Sequence, residues 1–266
     1  MERHTPLTDS LDLIVSAGWL AAHRDAVTVI DVRPADRYDA GHIPGARHVD
    51  LYPIKITDSN PAQIEGWVET VQSAFRALGV DNGGHAVFYE DYSGTTAAQA
   101  VWLMRALSMG EGAMLDVGMS AWVDAGHPVD TEPVDVAPSD LTVQLDPALF
   151  ATASEVREAA EGDGVIVDTR AGVEWMQGTI PTARHLEWIR HLNPDGTLKP
   201  IDELRDMYRD LGVAPDDEVV TFCASGYRAA HTWLVLTLLG YRNVRNYAPS
   251  WGEWGRRPDL PVAPTR

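Results

Sequence analysis

The chain contains the same pattern twice, and this constrains its fold more than any other feature. "VTVIDVRPADRYDAGHIPGARHVDL", from Val27, is matched by "GVIVDTRAGVEWMQGTIPTARHLEW", from Gly164. Asp31 pairs with Asp168, Arg33 with Arg170, Gly41 with Gly178, Pro44 with Pro181 and His48 with His185, each at an offset of 137 (168 − 31). A second block sets "AVFYEDYSGTTAAQAVWL" beside "VVTFCASGYRAAHTWLVL", placing Asp91 opposite Cys223, Gly94 opposite Gly226 and Thr96 opposite Arg228 at an offset of 132. A third sets "MSAWVDAGHPV" beside "APSWGEWGRRP", with Trp122 opposite Trp251 and Ala125 opposite Trp254 at an offset of 129. Three blocks in one order imply two copies of one domain, and 266 residues is a natural length for two. We expect a first domain over 1–130, a proline-rich polar linker, "TEPVDVAPSD", over 131–140, and a second domain over 141–266.

Each copy reads as α/β. A helical start, with a Thr152/Glu155 capping box in the second copy, precedes a short apolar strand, "VTVID" or "GVIVD". The segments 61–78 and 201–211 have helical spacing. The strands "HAVFYE" and "EVVTF" follow, each feeding a loop and a helix. "AMLDV" and "NVRNY" read as one further strand per copy, before a last short helix around Trp122 or Trp251. Apolar strands alternating with helices predict a parallel sheet flanked by helices on both faces.

The single cysteine, Cys223, sits where a strand turns into a helix. Backbone N–H groups at a helix start lack intrahelical partners, and with the helix dipole they favour a thiolate. Gly226 permits a tight curl around the sulfur. Ala224 keeps the rim open, Ser225 offers a hydroxyl, and Arg228 supplies a cation that the chain, at a formal charge of −18, otherwise lacks there. A buried core cysteine is the alternative, but small and polar neighbours interrupt the apolar run. The first copy keeps the turn without the thiol or the arginine, as expected of one active and one silent copy.

These blocks resemble the tandem rhodanese sulfurtransferases, which act on thiosulfate or 3-mercaptopyruvate. The resemblance is carried by "DVR…GHIPGA", "DTR…GTIPTA", "CASGYR" and "APSWGEWG" and spans nearly the whole chain. It implies two rhodanese-like domains, the first catalytically silent. It also implies transfer of a sulfane sulfur from thiosulfate to cyanide or a thiol through a persulfide on Cys223, in ping-pong fashion and without a cofactor. Ala224, Ser225, Gly226, Tyr227 and Arg228 would form the loop that binds the persulfide. 3-Mercaptopyruvate is the alternative donor: "CASGYR" matches neither the two early basic residues of animal thiosulfate enzymes nor the Gly-Ser-Gly of mercaptopyruvate enzymes.

Arg170 and Trp254 are further substrate candidates, Arg170 as an anion clamp and Trp254 as a rim contact. Against Arg170 stands Arg33, which holds the same place in the silent copy. The histidines, including His42, His48, His185 and His191, are scattered without metal-ligand spacing, so no metal is expected. His231, one turn past the loop, reads as a solvated or packing residue. A cysteine phosphatase is the rival enzyme: its loop needs five residues between cysteine and arginine, and here there are four. A non-catalytic interaction module is the other rival, disfavoured by the intact Cys223 loop. The acidic charge argues against nucleic acid and anionic membranes as partners. A lone cysteine fits a reducing compartment, and the stretch "MERHTPLTDSLDLIV" lacks leader character, so a cytoplasmic protein is expected.

Overall fold

The computed structural model describes residues 12–265. The reading of the N-terminal stretch for a leader falls, up to residue 11, outside the described residues. The strands are β1 (Ile14–Val15), β2 (Thr28–Asp31), β3 (Arg47–His48), β4 (Gly84–Tyr89) and β5 (Gly110–Leu115), then β6 (Val165–Asp168), β7 (Arg184–His185), β8 (Val219–Phe222) and β9 (Val244–Asn246). The helices are α1 (Ala17–His23), α2 (Ala35–Ala40), α3 (Pro61–Ala77), α4 (Thr95–Ala106), α5 (Gly118–Asp124), α6 (Ala153–Glu161), α7 (Gly172–Trp175), α8 (Ile201–Asp210), α9 (Tyr227–Leu238) and α10 (Ser250–Trp254).

Two parallel sheets result, ordered β1-β5-β4-β2-β3 and β7-β6-β8-β9. All four residues of β6 and of β8 are buried, as expected of parallel strands covered on both faces. In the first unit Leu20, Val87, Leu115 and Trp122 share one core cluster. In the second, Val156, Ile166, Phe222 and Trp254 do so. The Thr152/Glu155 capping box is present: Thr152 N–H and hydroxyl donate to Glu155 at 2.8 and 2.7 Å, and Glu155 N–H returns to Thr152 Oγ1. The β1 strand was not read from the sequence. Two residues are too few to show alternation, and it exists because Ile14 pairs with Met114. At the same place in the second copy, Phe150 makes a single bridge to Asn246.

The compact units divide the chain differently from a cut at 131–140. One takes in the described chain up to Ile54, Val68–Leu145 and Pro194–Thr197; the other takes in Lys55–Trp67, Asp146–Asn193 and the chain from Leu198 onward. The proline-rich segment is bound to the first unit, with Ser139 N–H donating to Arg76 O at 3.0 Å and Ser139 Oγ to Val80 O at 2.5 Å. Lys55–Trp67 packs in the second unit, where Ser59 Oγ donates to Glu253 at 2.9 Å and Trp67 lies 5.9 Å from Phe150. Hydrophobic patterning does not reveal such an exchange, because a segment that packs on either unit carries the same apolar residues.

Candidate active site

The β8 strand ends at Phe222, and the next residue, Cys223, is 1% exposed. Its Sγ accepts the Gly226 N–H at 3.1 Å, so one unpaired donor of the α9 start points at the sulfur. Gly226 takes φ 91°, and a Cβ there would meet Ala248 O at 2.6 Å, so glycine is required twice over. The carbonyls of Cys223 and Ala224 turn outward and accept the N–H groups of Trp251 and Gly252 at 3.0 and 2.9 Å. Asn246 Nδ2 holds Gly226 O at 3.2 Å. Ala224 and Ser225 are partly exposed at the rim, whereas Tyr227 is buried.

Ser250 is a site residue that sequence reasoning missed. Its Oγ accepts Cys223 N–H at 3.0 Å, donates to Tyr247 O at 2.7 Å and lies 4.0 Å from Sγ. It holds φ 56°, a conformation that non-glycine residues rarely adopt. Glu174 was missed as well. Arg228 clasps it bidentately, Nη1 to Oε2 at 2.5 Å and Nη2 to Oε1 at 2.9 Å, and Ala171 N–H also donates to Oε2 at 3.1 Å. Burial works against the Arg228 charge, but the bonds to Glu174 and the field of Cys223 and Glu174 more than offset it and raise its pKa. The bond from Arg228 in turn holds the Glu174 carboxyl below the usual carboxylate range. Neither residue's partner could be read from a separation of 54 positions.

Two substrate candidates are corrected. Trp254 is 0% exposed, lies in the core and donates its indole N–H to Pro261 O at 2.9 Å. The same bond runs from Trp122 to Pro128 O at 2.8 Å. Trp254 is therefore the counterpart of Trp122, at an offset of 132 (254 − 122), and the pairing of Trp122 with Trp251 was three residues out of register. Gly118 and Ser250, at φ 57° and 56°, obey the same offset (250 − 118 = 132). Arg170 is spent on structure: Nε and Nη2 bind Asp168 at 2.6–3.0 Å, and Nη2 also reaches Gly178 O at 2.7 Å. Its guanidinium lies 4.2 Å from the Trp251 ring centroid. Arg33 binds Asp31 and Gly41 O in the same way.

The first copy also needs a new register. Asp168 pairs with Phe222 and Asp31 with Tyr89, so the residue after the strand is Glu90, not Asp91. Met119 N–H reaches Glu90 O at 2.7 Å as Trp251 N–H reaches Cys223 O. From strand end to helix-capping glycine the first loop has four residues, 90–93, and the second three, 223–225. Glu90 places its carboxylate at the start of α4, accepting Thr96 and Ala97 N–H at 2.8 and 2.9 Å. Burial nonetheless pushes its pKa up to about 7. Asp91 points instead to Arg33 Nη1, at 3.3 Å.

His48 and His185 each bind the carbonyl of the repeat arginine, Arg33 or Arg170, at 2.8 Å. His231 is a packing residue, buried and stacked 5.5 Å from His191. Among the described residues no group of histidine, cysteine, aspartate and glutamate could hold a metal, and no helix is long and apolar enough to cross a membrane. An acidic cleft of about 590 Å³, lined by Glu155, Glu158, Asp216, Asp217 and Glu218, opens at the end of the sheet where β8 begins, away from Cys223.

Comparison with known proteins gives a consistent picture. The family model for the rhodanese-like domain matches residues 16–125 and 152–257. The thiosulfate sulfurtransferase of Azotobacter vinelandii is 32% identical, over 95% of this chain and 97% of its own. The 3-mercaptopyruvate sulfurtransferase of Escherichia coli K12 is 30% identical, over 95% and 98%. A sulfur carrier protein of Thermus thermophilus is 31% identical, over 95% and 96%. Among solved structures, a 3-mercaptopyruvate sulfotransferase from Escherichia coli superposes with a TM-score of 0.80 at 26% identity, covering 91% of this chain and 99% of that one.

Proposed function

The chain belongs to the rhodanese family, as two rhodanese-like domains in tandem, and is a sulfurtransferase; from that premise we propose that Cys223 is its nucleophile and that thiosulfate is its donor. The observation that carries this reading is the Gly226 N–H directed at Sγ from a three-residue turn. The Cys223 thiolate attacks the outer sulfur of thiosulfate. A sulfur–sulfur bond forms to Sγ, the bond to the sulfonate sulfur breaks, and sulfite leaves with the electron pair. The enzyme is left as a persulfide anion. Cyanide, or a thiolate, attacks the terminal sulfur, departs with it and restores the Cys223 thiolate, so charge and electrons balance in both half-reactions.

The chain's own groups fit these steps. The helix start at Gly226 stabilises negative charge on the inner sulfur, Ser250 fixes the Cys223 backbone, and Arg228 is the cation beside the thiol. Ala224, Ser225 and Tyr227 complete the loop. 3-Mercaptopyruvate is the second donor by the same cysteine, favoured by the relative that carries that name. Four residues between Cys223 and Arg228 leave a ring suited to one sulfur atom and too small for a phosphate. The lone free cysteine favours a reducing, cytoplasmic setting.

Intact-mass spectrometry tests the reading. Incubation with thiosulfate or 3-mercaptopyruvate should add about 32 Da, one sulfur, to Cys223, and cyanide should remove it. No gain with either donor, or the same gain in Cys223→Ser, would refute the assignment.

A further inference from the structure

Arg228 is the cation that an anionic donor meets at the thiol, and both its terminal nitrogens face one carboxylate, that of Glu174. Glu174 cannot readily swing away, because the Ala171 N–H also holds Oε2. The pair is neither sealed nor free: the Arg228 side chain is 21% exposed and Glu174 34%. An incoming anion must therefore share Arg228 with a fixed negative charge. The fold does not require the pair. The first copy, with the same strands and turns, has Arg37 at the matching place (174 − 137 = 37) and Thr96 in place of Arg228. The pair occurs where the thiol is.

We propose that Glu174 sets donor selectivity, by repelling a doubly charged donor more than a singly charged one at the Arg228 that both must use. This rests on the sulfurtransferase reading above. Coulomb energy is proportional to ligand charge, so the effect of Glu174 on a dianion is the square, as a ratio, of its effect on a monoanion. Thiosulfate is a dianion, and 3-mercaptopyruvate carries one carboxylate. The net charge of −18 adds a long-range repulsion of the same sign, but that field is spread over the surface and screened by salt. Glu174 acts at the site itself.

The test is steady-state kinetics of the full chain at saturating cyanide, comparing wild type, Glu174→Gln and Glu174→Asp with both donors. Glu174→Gln should lower KM about tenfold for thiosulfate and about threefold for 3-mercaptopyruvate, with kcat little changed. Glu174→Asp should retain the wild-type ratio of the two KM values. Added salt should shrink the thiosulfate gain more than the other. Glu174→Ser makes the same charge change if the glutamine variant does not fold. Equal changes for both donors, a raised KM for thiosulfate, or a loss confined to kcat would overturn the proposal. Sulfur loading of wild-type Cys223, read by mass, separates the two ideas. A loaded enzyme with a charge-blind Glu174→Gln refutes selectivity alone, and an enzyme loaded by neither donor refutes the sulfurtransferase reading together with it.

Discussion

At the end of β8 the chain presents a thiol to the start of a helix, and at the end of β4 it presents a carboxyl to the start of another. Cys223 Sγ accepts the N–H of Gly226, the residue that caps its helix, whereas Glu90 reaches two and three residues past the corresponding Gly94, to Thr96 and Ala97. The scaffolds agree in detail: the repeat arginine on its aspartate, the histidine on the arginine carbonyl, the buried tryptophan on a proline carbonyl. Around the helix start the copies differ by one residue of loop length and at four side chains. Where the second copy has Cys223, Arg228, Ser250 and Glu174, the first has Glu90, Thr96, Gly118 and Arg37. Even Gly118 is forced, since a Cβ there would lie 2.0 Å from Glu90 O. A helix start that attracts negative charge is thus kept in both copies. In one it holds a thiol, and in the other it is filled by the chain's own carboxyl.

The comparison is broken most severely at Cys223. Cys223→Ser should reduce sulfur transfer by at least about a thousandfold, because the first copy offers no substitute nucleophile. Residual transfer within tenfold of wild type, measured as thiocyanate formation, would show that the first copy is not silent.

Scaffold substitutions should instead treat the copies alike. Arg33→Met and Arg170→Met each leave a buried aspartate without its partner, and each should cost about 3–5 kcal/mol in denaturant unfolding. A small loss at Arg170 with a large rise in donor KM would return it to the substrate site. Trp122→Ala and Trp254→Ala should likewise each cost about 3–5 kcal/mol, as buried tryptophans do. Trp251→Ala should cost less, because Trp251 is only partly buried. The opposite order for Trp251 and Trp254 would restore the first alignment.

The smallest effect separates the copies again. Folded Glu90 keeps its proton up to about 7, whereas an unfolded glutamate releases it near 4.5. Between those values the unfolded state binds fewer protons, so stability falls as pH rises, by about 3 kcal/mol across the window. Glu90→Gln should flatten that fall, read as the denaturation midpoint at pH 5 and pH 8. An unchanged slope would mean that Glu90 is solvated.

Much of this was legible because it is local or repeated. A strand that ends at a cysteine and turns through a glycine into a helix names its own chemistry. The offset of 137 marked which residues recur, and the two repeat arginines, Arg33 and Arg170, make the same bonds in both copies. Where insertions intervened the same method failed. The tryptophan block slipped by three residues and Asp91 took the place of Glu90, because identical letters outweighed register. Register in a sheet is set by hydrogen bonds between strands distant in sequence.

The sequence by itself determined two copies of one parallel α/β domain, one of them bearing a thiol at a helix start. These follow from hydrophobic period, repetition and backbone chemistry, which act over a few residues. Only the tertiary structure decided that Glu174 holds Arg228, that Ser250 holds the Cys223 backbone and that Trp254 is core. Each of these depends on segments that packing brings together, 54 and 27 positions apart in the first two cases. An ion pair or a buried indole has no signature until the chain has chosen its neighbours.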